Sequence, residues 1–570
     1  MKGPGADYVE VHSGGVGWRV RPEFKEILFG PDGLRLEEWR QTGQARVVKH
    51  GPHRTVYRVA LAGLSFYLKH YRLSNFRARI AQLFRPAKAQ KEFDRALQVA
   101  DRDVATAAPL GLGEGQAGPF SGESFLITRS LEETESVSLF IQKTLPMFEL
   151  GRATRVRQRL AVALGKFVAH LHNGGVIHQD LHADNILVQL GADDRPQLFL
   201  IDLHDVNFGK PLRWRASREN LVLLNRFFIL RVSRTDRHRF WRAYVSARNG
   251  IGGGQPTVGK DPRRLCLARE VEAHTWRSNL RFWKRRDWRC LASNRYFQKV
   301  RVGRIFGFAV RDLDTGVLKE WMSDPDKVFQ APGVKLLKSS RSSTVADIEL
   351  PSAGRPSRAI YKRFSVTSWT DPWLALFRKP AALRSWIYGH GLRDRWLRTA
   401  RPLAVFARHR VGLPKEWYLV TEKIDDAVDL HVLLDHLKGT PPAAARPRLR
   451  STIDQVARLA RELHRRRISY RDFKAVNILV AQDMVWLIDL VGIAPCRWLS
   501  HARRVQNLAR LNASFARSPH LTRSDKLRFL RVYMEWGING RLGWKEWWRE
   551  IDKATQKKIN RNNRSGRPLA

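Results

Sequence analysis

The stretch IHQDLHADNILV (177–188) returns 292 residues later as SYRDFKAVNILV (469–480), keeping an aspartate, an asparagine five residues on and the apolar run Ile-Leu-Val. Outward from it, FYLKHY around Lys69 returns as AIYKRF around Lys362, 111 residues before Asp180 in one case and 110 before Asp472 in the other. LFLIDLHD (198–205) matches VWLIDLVG (485–492), and NLVLLNRFF (220–228) matches NLARLNASF (507–515). RTDRHRFWRAY (234–244) matches RSDKLRFLRVY (523–533). Ordered matches at near-constant spacing mean an internal repeat of about half the chain, and so two domains of one kind.

Each copy begins with strands and continues with helices. Thr55–Leu61 and Leu64–Tyr71 alternate as a hairpin of a small sheet, and a helix is predicted over Lys88–Ala100. Leu160, Leu164, Phe167, Val168 and Leu171 share one helical face just before the Asp180 loop, as Ile453, Val456, Leu459 and Leu463 do before Asp472. The run NGIGGGQPTVG (249–259) is glycine-rich and marks a flexible joint. The expected division is a first domain over 1–248, a joint with a basic Trp-rich segment over 249–300, a second domain over 301–551 and a disordered basic tail over 552–570.

A chain of 570 residues, 43% hydrophobic, is long enough for two full cores. Its 102 Lys and Arg against 54 Asp and Glu leave a net charge of +48, which calls for an anionic partner. Cys266, Cys290 and Cys496 fit neither a zinc site nor a disulfide framework, which favours a reducing compartment. Met1–Gly15 has no apolar core of a signal peptide, and Leu221–Val232 is broken by Asn225, Arg226 and Arg231, so membrane contact is expected from outside the bilayer. The segment 274–297 interleaves Trp276, Trp283 and Trp288 with arginines and lysines. That pattern suits an anionic lipid interface or nucleic acid, or equally a helix that buries its tryptophans and solvates its charges.

Asp180 and Asn185 have the spacing of the protein-kinase catalytic loop, and Asp202 follows an apolar strand. Phosphoryl transfer from ATP needs positioning and charge neutralisation rather than covalent help. Asp180 is therefore the expected acceptor-orienting carboxylate, and Asn185 and Asp202 the expected oxygen ligands of Mg2+, a hard cation. Lys69 is expected to reach the phosphates, held extended by Glu92. In the second copy the corresponding set is Lys362, Asp472, Asn477 and Asp489, with Lys474 standing where the first has His182 as a further phosphate contact. The fold class that follows is α+β: two tandem protein-kinase-like bilobal domains, each with a small antiparallel-sheet lobe and a mainly helical lobe.

HQDLHADNIL with IDLHD, and YRDFKAVNIL with IDLVG, resemble the lipopolysaccharide core kinases of the Kdo/WaaP family over both copies. The resemblance implies a kinase-like fold, ATP and Mg2+ as cofactors, and a sugar hydroxyl of a lipopolysaccharide core or similar glycolipid as acceptor. It implies work at the cytoplasmic face of the inner membrane, with the anionic membrane surface as a partner in preference to nucleic acid. Other acceptors, a protein Ser/Thr or a small molecule, and a non-catalytic basic scaffold are the alternatives. Two departures bear on activity. Neither copy has a glycine-rich phosphate loop, offering KHGPHRTVY (49–57) and KSSRSSTVA (338–346) instead, where Ser, Thr and Arg donors would cradle phosphate. The second copy has Ser385 where Glu92 stands, so Lys362 must be positioned another way and the first domain is the better candidate for activity.

Overall fold

The computed structural model describes residues 8–51, 53–72, 87–115, 123–248, 262–350, 357–365, 379–410, 413–516, 518, 521–534 and 543–566. The chain divides into two compact units, Met1–Asn279 and Leu280–Ala570.

In the first unit seven strands make an antiparallel sheet, in the order Val9–Ser13, Val16–Val20, Pro109–Gly115, Ser124–Arg129, Leu64–Tyr71, Arg54–Leu61 and Ala45–His50. Strand alternation sends Phe66 and Leu68 into a core with Trp18, Trp39 and Tyr57. The intervening positions, Lys69 among them, fall on the other face. There helix α1 (Lys88–Ala100) packs Ala89 and Phe93 against Tyr71, Leu112 and Leu126. The helical lobe is built on α2 (Leu150–Asn173), α3 (Trp214–Arg231) and α4 (Arg234–Ala247), around Leu160, Leu164, Val168, Leu221 and Tyr244. A Cβ on Gly165 would lie 2.4 Å from the Phe240 carbonyl oxygen, so only glycine lets α2 and α4 approach this closely. Two antiparallel pairs, Val176–His178 with Val206–Phe208 and Ile186–Leu190 with Pro196–Leu200, flank the Asp180 loop and return Asp202 to it.

The glycine-rich joint, 249–261, lies outside the described residues. Beyond it α5 (Pro262–Arg286) spans much of the segment expected to be a linker. Val271 is buried in the first unit's core, Glu270 accepts from the Trp214 indole at 3.1 Å, and Asn225 donates to Thr275 Oγ1 at 3.1 Å. Within the second unit Trp283 is buried, with the Arg395 guanidinium 5.4 Å from its ring and Arg395 held by Asp287 at 2.5 and 2.8 Å. Of the three tryptophans in this segment, then, one is spent on packing, while Trp288 stays exposed beneath Lys379.

The second unit repeats the sheet order, as Phe297–Val302, Ile305–Val310, Pro402–Arg410, Leu413–Glu422, Ser357–Ser365, Ser343–Leu350 and Lys335–Ser340. Its longer helices are α6 (Ala381–Asp394), α7 (Pro442–Arg465), α8 (His501–Ala513), α9 (Arg523–Met534) and α10 (Trp544–Arg564). The tail expected to be disordered from 552 is instead the second half of α10. Trp547 and Thr555 are buried, and Asn512 donates to Thr555 Oγ1 at 3.1 Å, the same bond that Asn225 makes to Thr275. Each repeat therefore ends one helix later than the matches at 244 and 533 suggest. Charges on most sides of this helix mask, in the sequence, the helical spacing of Trp547, Ile551, Ala554 and Thr555 that packs it down.

Under each catalytic loop lies a buried polar triad. His172 Nδ1 is 2.9 Å from the Tyr244 hydroxyl and Nε2 is 3.4 Å from Asn220 Oδ1, while Asn220 Nδ2 donates to the His178 carbonyl at 2.6 Å. In the second unit His464 Nδ1 is 2.8 Å from the Tyr533 hydroxyl, and Asn507, with its amide turned to match Asn220, donates to the Tyr470 carbonyl at 3.1 Å. Burial pushes His172 and His464 down to about 3.

Because these folded values lie below the unfolded one, the unfolded chain binds the extra protons. The stability they contribute is whole above pH ~6.5 and drains by about 1.4 kcal/mol per pH unit per histidine as the pH falls towards 3. Denaturant midpoints are expected to fall between pH 7 and 5, and His172→Gln with His464→Gln to flatten that slope; an unchanged slope in the double variant refutes the assignment.

Candidate active site

Four pieces of backbone assemble the first unit's site. From the sheet, Lys69 Nζ donates to the Glu92 carboxylate on α1, and the other oxygen of Glu92 accepts from the Tyr71 hydroxyl at 2.6 Å. Glu92 is only 3% exposed, a burial that a carboxylate tolerates because both oxygens are engaged. Burial, with Glu92 alongside, pushes the Tyr71 phenol well above its usual range.

The loop after His178 is closed by two bonds: the Asp180 N–H donates to His178 Nδ1 at 3.2 Å, and Asn185 Nδ2 donates to the Asp180 carbonyl at 3.0 Å. That fixes the Asn185 amide nitrogen and leaves its oxygen as the group able to take a cation. The Asn185 carbonyl accepts from the Ile201 N–H at 3.0 Å, so the strand ending in Asp202 lies beside the loop. Asp180 itself is open to solvent, with His182 Nε2 3.4 Å from its carboxylate.

Asp202 sits at φ 60°, ψ 54°, and Asp489 at φ 52°, ψ 65°. A left-handed conformation costs an ordinary residue about 1–2 kcal/mol, and here it recurs at the same place in both copies. A hydrogen bond from His204 at 2.9 Å, working against burial and joined by Lys69 and Arg54, holds the Asp202 carboxyl well below the usual range. It is an anion at neutral pH. Arg54, the first residue of its strand, also lies 5.8 Å from the Tyr71 ring and within the field of Glu92. The cradle expected over 49–57 contains one arginine, Arg54, and the structure puts it beside the site.

The second unit joins its residues differently. Lys362 Nζ donates to Asp489 Oδ1 at 3.1 Å. Three replacements explain it: Ser385 stands where α1 has Glu92, Phe364 where Tyr71 stands, and Val491 where His204 stands. With no carboxylate on that turn of α6 and no imidazole beside Asp489, lysine and aspartate are left to each other. Asn477 keeps its bond to the Asp472 carbonyl at 2.8 Å, and the Tyr470 hydroxyl replaces His178 as the tie to the strand that ends in Asp489, 2.7 Å from the Ile488 carbonyl. A Cβ on Gly492 would lie 2.4 Å from Asp472 Oδ2, so the carboxylate is tucked against backbone where the first unit has Asp205; Asp472 is 33% exposed and Asp180 66%.

Cations gather around Asp472. Arg471 lies 3.7 Å from it, and the Ala475 N–H donates to Ser514 Oγ at 3.3 Å, docking the end of α8 and its Arg510 against the loop. From α10, Lys558 and Arg561 join Lys474; burial, then Arg510 and Lys474, lower the Lys558 ammonium. Arg510 lies in the matched stretch 507–515, where the first copy has Leu223, and the other two lie in the supposed tail, so sequence reasoning missed all three.

Among the described residues no group of three or more His, Cys, Asp or Glu is gathered to hold a metal. An asparagine oxygen beside one carboxylate, with phosphate oxygens and water completing the shell, is nevertheless a donor set that suits Mg2+. The residues present fit that ion.

Sheet lobe, helical lobe, catalytic loop and left-handed aspartate define a protein-kinase-like fold in each unit. Residues 37–244 and 358–533 match the lipopolysaccharide kinase (Kdo/WaaP) family, and the chain belongs to it. It is similar to the lipopolysaccharide core heptose(I) kinase WaaP of Pseudomonas aeruginosa, 26% identical over 232 residues that make up 39% of this chain and 83% of that protein. It is also similar to the 3-deoxy-D-manno-octulosonic acid kinase of Pasteurella multocida, 27% identical over 224 residues, 38% of this chain and 85% of that protein. A solved structure of WaaP in complex with acyl carrier protein aligns at a TM-score of 0.32 with 21% identity, over 45% of this chain and 98% of that one.

Glu92→Ala strands Lys69 in a largely desolvated position and deprives Tyr71 of its acceptor, and should destabilise the first unit by about 3 kcal/mol. Ser385→Ala at the equivalent place should cost less than about 1 kcal/mol. Hydrogen exchange of α1 and α6 peptides in mild denaturant measures both, and equal effects would contradict the pairing described.

Proposed function

We propose that this protein is an ATP- and Mg2+-dependent kinase that phosphorylates a sugar hydroxyl of a lipopolysaccharide core or a similar glycolipid, with the first unit as the working site. The observation that carries this is the intact Lys69–Glu92 pair in the same unit as an anionic Asp202. Lys69 and Arg54 would hold the nucleotide phosphates, and Asn185 and Asp202 the ion. When bound, Mg2+ neutralises charge on the transferring phosphates. Asp180, exposed and beside His182, would orient the acceptor hydroxyl and take its proton. The acceptor class rests on family membership and on relatives named as heptose(I) and 3-deoxy-D-manno-octulosonic acid kinases.

The second unit keeps Asp472, Asn477 and Asp489, but its lysine is tied to the residue that would hold the ion. Its cations, Arg471, Lys474, Arg510 and Lys558, suit a role in gripping phosphate or carboxylate groups of the glycolipid. Action at the cytoplasmic membrane face is part of this proposal: the net charge of +48 favours anionic headgroups, and no described helix is long and apolar enough to cross a bilayer.

Purified protein supplied with ATP, Mg2+ and dephosphorylated core oligosaccharide should transfer phosphate to it, read by mass spectrometry. Asp180→Ala is expected to slow transfer by about 100-fold or more, and Asp472→Ala by less than about tenfold. Transfer unaffected by Asp180→Ala would overturn the proposal.

A further inference from the structure

Within the second unit a cavity of about 620 Å³, away from the residues of the site above, is lined by six arginines and two aspartates. Two of the arginines are committed: Arg401 to Asp312 at 2.6 Å and Arg286 to Asp394 at 3.4 Å. The other four, Arg289, Arg295, Arg311 and Arg393, have no carboxylate within ion-pair distance among the described residues. Asp394 lies within the field of Arg289 and Arg393, and Arg311 Nε donates to the Asn294 carbonyl, but six arginines share this wall with only two aspartates, an excess of positive charge that an anion relieves.

Three further features mark the cavity as built for a ligand. The Tyr296 ring, in the wall, has the Arg289 and Arg295 guanidinium groups over it at 5.3 and 4.5 Å, cation–π contacts that hold both cations at the hollow. Also in the wall, His390 has an Nε2 sealed from solvent yet without a hydrogen-bond partner. Burial, with Arg393 and Arg401 adding, pushes that imidazole down to about 3, so it is neutral, a polar group that the packing of the wall leaves unsatisfied. Finally, three of these groups have no polar counterpart in the first copy. The repeats align through Pro109 and Pro402, and by that alignment His390, Arg393 and Arg401 stand where the first copy has Leu97, Ala100 and Ala108. The shared fold does not require these polar groups.

We propose that this cavity is a second anion site of the chain, which takes a phosphate-bearing ring compound, a nucleotide or a sugar phosphate. Its volume is that of a small-molecule site and several times what a lone phosphate fills. The guanidinium groups would take the phosphates, and Tyr296 and Phe297 would cover the ring.

The full-length protein carrying Asp202→Asn and Asp489→Asn, to weaken nucleotide binding at the kinase sites, would be titrated calorimetrically with ATP, glucose 1,6-bisphosphate and inorganic tripolyphosphate. The expected result is binding that Arg295→Ser, Arg311→Ser and Arg393→Ser together weaken by about tenfold or more. Tighter binding of ATP than of the bisphosphate identifies a nucleotide site, and the reverse a sugar-phosphate site. If the triple variant loses its native circular dichroism, Arg393→Gln alone is expected to weaken binding about threefold. No binding of any probe at millimolar concentration, or binding unchanged by substitutions that leave the fold intact, overturns the proposal.

Discussion

A lysine on a β-strand carries a charge that must be held in place, and the two halves of this protein hold it in different ways. In the first unit a buried glutamate on the facing helix does it, and a tyrosine two residues from the lysine saturates that glutamate. Because the carboxylate that pairs with lysine is not the one suited to a metal, Asp202 keeps its own partner, His204. In the second unit helix carboxylate, tyrosine hydroxyl and imidazole are gone together, and lysine and aspartate close on each other.

The helical lobe serves this arrangement through backbone rather than through charge. A neutral histidine on one helix, a tyrosine from another and an asparagine from a third meet beneath the loop, and the asparagine grips the strand from which the loop departs. Buried polar groups of this kind specify geometry because every member must find its partner in a single arrangement. Above them the loop asparagine is fixed through its nitrogen, so that its oxygen and the left-handed aspartate are aligned before any ligand arrives.

Much of this was legible in the sequence. The repeat, the strand that bears Lys69, the helix over Lys88–Ala100 and the replacement of Glu92 by Ser385 are all written in local pattern and register. His172 and His464 were not legible, because a histidine next to a catalytic loop has no periodic signature; only the recurrence of Asn220 and Tyr244 as Asn507 and Tyr533 hints at partners. Arg510 and Lys558 escaped for a different reason. In a chain with 102 basic residues, no single cation stands out until the backbone has chosen its neighbours.

The last helix of each repeat alters where one protein can be said to stop and the next begin. Asn225 holds Thr275 as Asn512 holds Thr555, and Val271 is sunk in the core of the lobe that precedes it. The glycine-rich run at 249–259 thus falls within the sequence of the first repeat, ahead of a helix that packs on the same lobe. A gene fragment cut at those glycines would yield a lobe with an open apolar seam, and duplication of the ancestral unit must have copied a segment that reached past them.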